Sequence, residues 1–424
     1  MPKKVTIALI GAGQRVLDTY EAYALKYPYE IQFVAVAEPL SERRERFQHT
    51  HGITKDRCFA DWQDLLAQPR LADAVLICTQ DRMHYGPTIA ALKIGYHILL
   101  EKPMSPDPDE CLQIGAAADA SASSFMLGYT LRYTNLFATI KHLLNTGKIG
   151  QLISIQHRED VGYWHYAHAF VRGNWSNVAS ASPMILAKSC HDMDLLLWLT
   201  GADCTQVSSF GSLTHFTSAN APQGAPQRCL DGCPAAHSCL YYAPNFYLTG
   251  ETGWPASVIS TDTSSEGLLK ALQEGPYGRC VYHCDNNVVD HQIVNMEFAN
   301  TVTATFTMCA FSKQINRSIR LMGTQGELNG TSNENKSEIE LIEFSSGAHN
   351  VISLPIGGGS QGYGGGDFGL IRHFVQQVQD GSKQPGSTSA ALSAQSHMMA
   401  FAAEKSRLES KVIDMQEFYR LFAR

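Results

Sequence analysis

The stretch MILAKSCHDMD, Met184 to Asp194, sets Lys188, His191 and Asp194 three residues apart. On a helix that spacing puts all three on one face. Ser182 and Pro183 precede it as an N-cap and a first helical residue, and the apolar run LLLWL follows. The sequence therefore predicts one helix from Met184 to about Leu199, ending before Gly201. Three readings compete for its polar face. His191 with Asp194 or Asp192 could hold a metal, although the Lys188 ammonium beside them opposes a cation. In an acid/base site, the same lysine lowers the His191 pKa by like-charge repulsion and favours a neutral base, while Asp194 orients the ring or pairs with Lys188. The third reading is an amphipathic helix with a charged rim.

Two further clusters carry chemistry. Tyr163, Trp164, His165, His168, Arg172 and Trp175 follow one another in GYWHYAHAFVRGNW. Aromatic faces take the C–H surfaces of a sugar, and His and Arg take its hydroxyls; an interface or lid loop is the alternative. Asp290, His291 and Gln292 are expected at the same substrate end. The chain has 11 cysteines, an odd number. Cys229, Cys233 and Cys239 are close together, and Cys280 and Cys284 return later. A set of Cys229, Cys233, Cys239 and Cys280 would suit structural zinc, which wants four ligands in a closed site. Reduced cysteines in a loop-rich insertion are the alternative.

The elements that must position these groups begin with VTIALI, an apolar run too short for a leader and without a small-residue cleavage site, hence a first buried strand. It ends in Gly11-Ala12-Gly13, and a helical segment and a second buried strand ending in Glu38 follow. Gly11 permits a tight turn, Gly13 lets backbone approach a pyrophosphate, and the helix N-terminus adds partial positive charge. Glu38, 25 positions past Gly13, is placed to accept from a ribose diol, which favours NAD over NADP. Val16 stands where a third glycine would be expected. Strands and helices go on alternating, which predicts a doubly wound parallel sheet with ligands at the carboxyl ends of strands, where Thr79, Asp81, His84 and Lys102 fall. From VVDHQIVNMEF onward, apolar and polar residues alternate as in antiparallel strands.

The segments GAGQR, VAVAEP, ICTQDRMHYGPTIAALKIGYHILLEKPMS and GYTLRYTN resemble the glucose–fructose oxidoreductase/inositol dehydrogenase (Gfo/Idh/MocA) family, most specifically in Glu101-Lys102-Pro103. The resemblance implies an α/β fold: a Rossmann doubly wound parallel sheet, then an α+β domain with an open, largely antiparallel sheet that often builds dimers or tetramers. We expect residues 1–130 to form the NAD-binding domain. Residues 131–424 would form the second domain, with a cysteine-containing insertion around 215–285. Gly11, Gly13, Gln14, Arg15, Glu38, Thr79, Asp81, His84, Glu101 and Lys102 would face the cofactor. Lys102 would reach between nicotinamide and substrate, and His191 would act as base. The family's aspartate four residues before that histidine is replaced by Ala187, and Lys188 follows as a candidate second cation.

With a net charge of −7 and no basic block, nucleic acid is not an expected partner. No apolar run reaches the roughly 18 residues of a membrane span. A cytoplasmic enzyme acting on a sugar or glycoside is expected: a dehydrogenase, or a glycosidase that oxidises, eliminates, hydrates and re-reduces. A non-catalytic sugar or NAD sensor is the remaining class; loss of the Lys102 and His191 pair would mark it, and both residues are present.

Overall fold

The computed structural model describes residues 3–356, 365–381 and 389–422. The glycine-rich run GGGSQGYGGG, whose composition reads as a mobile loop, falls largely at 357–364, outside the described residues.

Strands β1 (Val5–Ile10), β2 (Ile31–Ala37), β3 (Cys58–Phe59), β4 (Ala74–Ile77), β5 (His97–Leu100) and β6 (Phe125–Leu127) form a parallel sheet in the order β3-β2-β1-β4-β5-β6. Every residue of β4 and β6 is buried, as strands covered by helices on both faces must be. The winding reverses between β1 and β4, which opens a crevice beyond their carboxyl ends.

A nine-stranded sheet follows: β7 (Leu152–Asp160), β8 (Cys204–Ser212), β9 (His291–Phe298), β10 (Thr303–Cys309), β11 (Asn316–Gly323), β12 (Gly326–Asn333), β13 (Ser337–Glu343), β14 (His349–Ser353) and β15 (Ile413–Asp414). Its order is β14-β13-β12-β11-β7-β10-β9-β8-β15, and only β7 and β10 pair in parallel. Strand pleating divides β7 cleanly: Ile155, His157 and Glu159 are buried, while Gln156 and Arg158 are exposed. The inner face packs against the helices Asn135–Asn145 and Cys190–Thr200. The outer face is a polar groove lined by Arg158, Thr305, Ser318, Arg320 and Glu338. The fold is the doubly wound sheet plus a largely antiparallel sheet.

Two late helices return to the first sheet. Phe368, Leu370, Ile371 and Phe374 of Gly366–Asp380 share a core with Leu9, Tyr20, Phe33 and Leu76. Ala390 and Ala394 of Ala390–Glu409 join Ile77, Ile98 and Leu127. Gly115 lets that last helix approach closely: a Cβ there would sit 3.4 Å from the Ala394 Cβ. The core of the first sheet is thus completed by residues far beyond position 130.

The single helix expected from Met184 is two helices, Met184–Ala187 and Cys190–Thr200, the second ending at left-handed Gly201. The break falls at Lys188 and Ser189. There the Ala187 carbonyl accepts from Lys102 Nζ at 2.7 Å, and the Ser189 hydroxyl donates to Glu159 at 3.0 Å. A tertiary partner thus occupies the Ala187 carbonyl at the break. Ser182 is not the cap; its hydroxyl donates to Asp81 at 3.1 Å, and Pro183 holds the cap position.

Candidate active site

Gly11 closes the turn after β1 with φ +90°, a conformation that favours glycine. A Cβ there would lie 2.8 Å from the Cys78 carbonyl oxygen. At Gly13 a Cβ would meet nothing within 4 Å, so the backbone faces open space, as close approach of a ligand requires. Glu38, buried at the end of β2, accepts from the Ala12 amide at 2.7 Å and the Leu40 amide at 3.0 Å. A carboxylate has about four acceptor positions, so two remain for a ribose diol. Turn, open backbone and acidic strand end together fit a dinucleotide.

Other residues expected at the cofactor hold the loops of this sheet edge together. Arg15 donates to Glu101 at 2.7 Å and to both Asp367 oxygens, at 2.6 and 3.0 Å. Glu101 also accepts from Tyr20 at 2.7 Å, so this buried group ties three elements together. The ring nitrogens of His84 face the carbonyls of Pro103 at 2.7 Å and Thr79 at 3.1 Å, which locks one strand-end loop to the next. Asp81 is buried against Ser182. Gln14 bonds Asp18 at the surface, and the Thr79 hydroxyl donates to the Met83 carbonyl at 3.3 Å.

Lys102 leaves the end of β5 and reaches the carbonyl of Ala187, one turn before His191. Ala187, where the resemblance implies an aspartate, thus meets the lysine with its backbone carbonyl. His191 is fully buried, and its ring centroid is 5.6 Å from that of Tyr129. Burial pushes its pKa well below the ordinary histidine value, and the Lys102, Arg317 and Lys188 charges push it further, against Asp192. It is a neutral imidazole, able to accept a proton. The charges of both Lys102 and Lys188 act on it, so these residues form one group.

Beneath this group lies a buried ionic cluster that the sequence reading missed. Glu159 of β7 and Arg317 of β11 stand directly opposite in register and pair. Arg317 also donates to Asp192 at 2.9 Å, and Asp192 meets His157 Nε2 at 2.7 Å. Lys188 Nζ lies 3.8 Å from Glu159. Desolvation raises the Glu159 pKa to about 7 against the pull of Arg317, whereas Arg317 and His157 hold Asp192 well below the carboxylate range. The signal was present in strand parity: His157 and Glu159 share the buried face with Ile155, as Arg317 does with Ile319 and Leu321.

Several expected substrate residues have protein partners of their own. Asp194 neither orients His191 nor pairs with Lys188. Its carboxylate is gripped in a buried pair by Arg132 Nε at 2.6 Å and Nη2 at 2.5 Å. Arg172 is buried and donates to the carbonyls of Arg279 at 2.7 Å and Tyr241 at 2.6 Å, holding the insertion. His168 bonds the Tyr247 hydroxyl at 2.8 Å and stacks on Tyr277. His291 turns to Asp290, which itself accepts the amides of Thr214 and His215. The Tyr163 ring packs on Tyr241, and Trp175, partly exposed, packs near Phe170. His165 differs: its buried Nδ1 makes no hydrogen bond, and the Lys188 charge helps depress its pKa after burial itself. That places it on the Lys188 side of the site.

Cys229, Cys233, Cys239 and Cys280 line one small cavity with Arg172. All 11 cysteines are free. Among the described residues no three His, Cys, Asp or Glu side chains are set as a ready metal-ligand group, so the expected zinc site is not preformed. Among the described residues, too, no helix is long and apolar enough to cross a membrane.

Comparison with known proteins adds independent support. Residues 5–129 match the family described as "Oxidoreductase family, NAD-binding Rossmann fold", and residues 141–412 match its "C-terminal alpha/beta domain". Inositol 2-dehydrogenase 4 of Saccharopolyspora erythraea is 29% identical over 234 residues, 52% of this chain and 61% of that one. The scyllo-inositol 2-dehydrogenase (NAD(+)) of Bacillus subtilis (strain 168) is 27% identical over 220 residues, 51% and 59% of the two chains. Among solved structures, levoglucosan dehydrogenase in complex with NADH superposes with a TM-score of 0.71 over 97% of this chain and 99% of that one, at 16% identity. With both domains matched, the glycine turn and the Glu-Lys-Pro strand end in place and His191 beside Lys102, the chain belongs to the Gfo/Idh/MocA oxidoreductase family.

Proposed function

We propose that this protein oxidises a carbinol carbon of a sugar, cyclic polyol or glycoside, with NAD as the redox partner. The observation that carries the reading is the meeting of Lys102, from the end of β5, with the His191 helix, at the carboxyl end of the dinucleotide sheet. The names of the inositol and levoglucosan dehydrogenases support the substrate class. When bound, the nicotinamide ring supplies a hydride acceptor. Gly11, Gly13 and the following helix N-terminus would hold the pyrophosphate, and Glu38 the ribose diol; its charge would repel a 2′-phosphate.

The chain's own side chains then manage one proton and one developing charge. Neutral His191 takes the proton of the substrate hydroxyl at a ring nitrogen. Lys102, anchored by one N–H on the Ala187 carbonyl, would put its positive charge beside the oxygen that becomes alkoxide-like. Lys188 adds a second cation, held by Glu159 on the far side. His165 offers its unbonded Nδ1 to a substrate hydroxyl. A cytoplasmic setting fits the 11 free cysteines, and the polar outer face of the second sheet is where we place self-association.

The test incubates the protein with NAD and a panel of cyclitols, free sugars and aryl glycosides, following NADH absorbance and aglycone release together. NADH formation on a polyol or sugar is expected. Lys102→Ala and His191→Ala should each lower kcat by about 10²–10⁴-fold. Turnover intact in both variants refutes the site, and aglycone release without NADH refutes net oxidation.

A further inference from the structure

We propose that Trp254, carried by the insertion between β8 and β9, determines substrate specificity: its indole takes the apolar face of a second ring, the aglycone or neighbouring sugar of a glycoside whose first ring lies at His191. The inference rests on the hydride-transfer reading above and narrows its substrate class.

A line of neighbours leads from the base to this indole. The Lys188 charge acts on both His191 and His165. The His165 ring centroid is in turn 5.8 Å from that of Trp254. Among the described residues, the other ring neighbours of Trp254 are His168 at 5.2 Å, Trp164 at 5.5 Å and Phe246 at 6.4 Å. Trp254 thus meets the catalytic group through His165, one residue further out. What covers it belongs to a substituent of the ring that is oxidised.

The indole has surface free for such a partner. Its planes with the four neighbouring rings cross at 56° to 82°, so none of them is stacked on it. Trp254 remains 44% exposed. Flat apolar groups, an aryl ring or the C–H face of a sugar, pack on an indole in offset or edge geometry. Beside it stands a hydrogen-bonding group without a partner, the buried Nδ1 of His165. Burial and the Lys188 and His168 charges keep that ring neutral, so it offers one donor and one acceptor nitrogen. An apolar face next to a convergent polar atom is the pairing that a glycoside needs.

The platform is held in place before anything binds. Trp164 Nε1 donates to the Lys313 carbonyl at 3.2 Å. His168 bonds Tyr247 and stacks on Tyr277, with ring centroids 4.9 Å apart. Arg172 ties the insertion down through the carbonyls of Arg279 and Tyr241. Rings ordered in advance lose little freedom on binding.

The experiment compares methyl and nitrophenyl glycosides of the same sugars on the full chain with NAD. NADH absorbance gives kcat/KM, and calorimetric titration of the NAD-loaded protein gives affinity. The parent should favour the aryl glycoside by about tenfold in kcat/KM. Trp254→Ala should erase that preference, with the loss falling on KM, because the contact is equal in ground and transition states. Trp254→Phe keeps an aromatic face and should retain part of it. Should Trp254→Ala fail to fold, Trp254→Leu preserves apolar bulk and gives the same reading. No aryl preference in the parent, or a preference that survives in Trp254→Ala or Trp254→Leu, overturns the proposal. If neither glycoside yields NADH, the titration decides. Tighter aryl binding that Trp254→Ala loses keeps the subsite while the hydride-transfer reading falls; equal binding, or none, overturns the subsite as well.

Discussion

The two walls of the site are built on different physics. The dinucleotide wall is backbone: a left-handed glycine, an open Gly13 and amides already paired to Glu38. The facing wall is buried charge: Glu159, Asp192, Arg317 and Lys188 share a desolvated cluster directly under His191. A backbone wall depends on side chains being absent. A charged wall depends on every partner being present, because removing one member leaves another ion buried and uncompensated.

The hardest way to break this contrast is Arg317→Met. It leaves Glu159 and Asp192 without their shared cation and should cost about 3–5 kcal/mol in urea unfolding. A loss near zero would mean that the cluster is not as dry as its burial indicates. Acid should act next. Burial holds His168 and His397 at about 4, below the histidine value of 6.5. Their folded forms stay neutral while the unfolded chain takes up protons, so the stability they supply is complete above pH 6.5 and is lost as pH falls toward 4. Each ring can contribute up to about 3 kcal/mol, read as a falling unfolding midpoint across that window.

On the backbone wall, Gly13→Ala should fold like the parent, since the new methyl meets nothing. It should still weaken NAD binding at least about tenfold, roughly 1.4 kcal/mol, in calorimetric titration. Gly11→Ala, by contrast, should lose stability as well, because its Cβ strikes the Cys78 carbonyl. An unchanged NAD affinity in Gly13→Ala would sink the backbone assignment. The finest probe is Glu159→Gln. Glu159 loses its proton at about 7, so above that pH its charge balances Lys188 and below it does not. The parent kcat/KM should therefore fall on acidification through pH 7, and the variant should lack that inflection.

The same contrast explains what could be read from the sequence. Gly11, Gly13 and Glu38 were legible because backbone turns are local and their residues lie within one strand-helix-strand unit. Lys102 and His191 were legible through motif and spacing. The partners of Asp194 and Arg172 were not legible because they are remote: Arg132 lies 62 residues from Asp194, and the Arg279 carbonyl 107 from Arg172. Spacing places a carboxylate on a helix face, but it cannot say which buried arginine arrives there. The helix break at Lys188 and Ser189 escaped for the same reason, since the partners met there, Lys102 and Glu159, come from other elements. The four cysteines were grouped by residue type alone; they line one cavity, but they are not set as metal ligands among the described residues.

The late helices Gly366–Asp380 and Ala390–Glu409 have a consequence for how the molecule comes into being. They supply Phe368, Phe374 and Ala394 to a core whose strands are made first. A ribosome therefore releases the six parallel strands long before their apolar cover exists. The nascent first third must wait for the helices Gly366–Asp380 and Ala390–Glu409, and a truncated product ending near residue 130 would carry an incompletely sealed sheet prone to self-association. The order of the chain thus puts most of the second sheet into place before the cover of the first is complete.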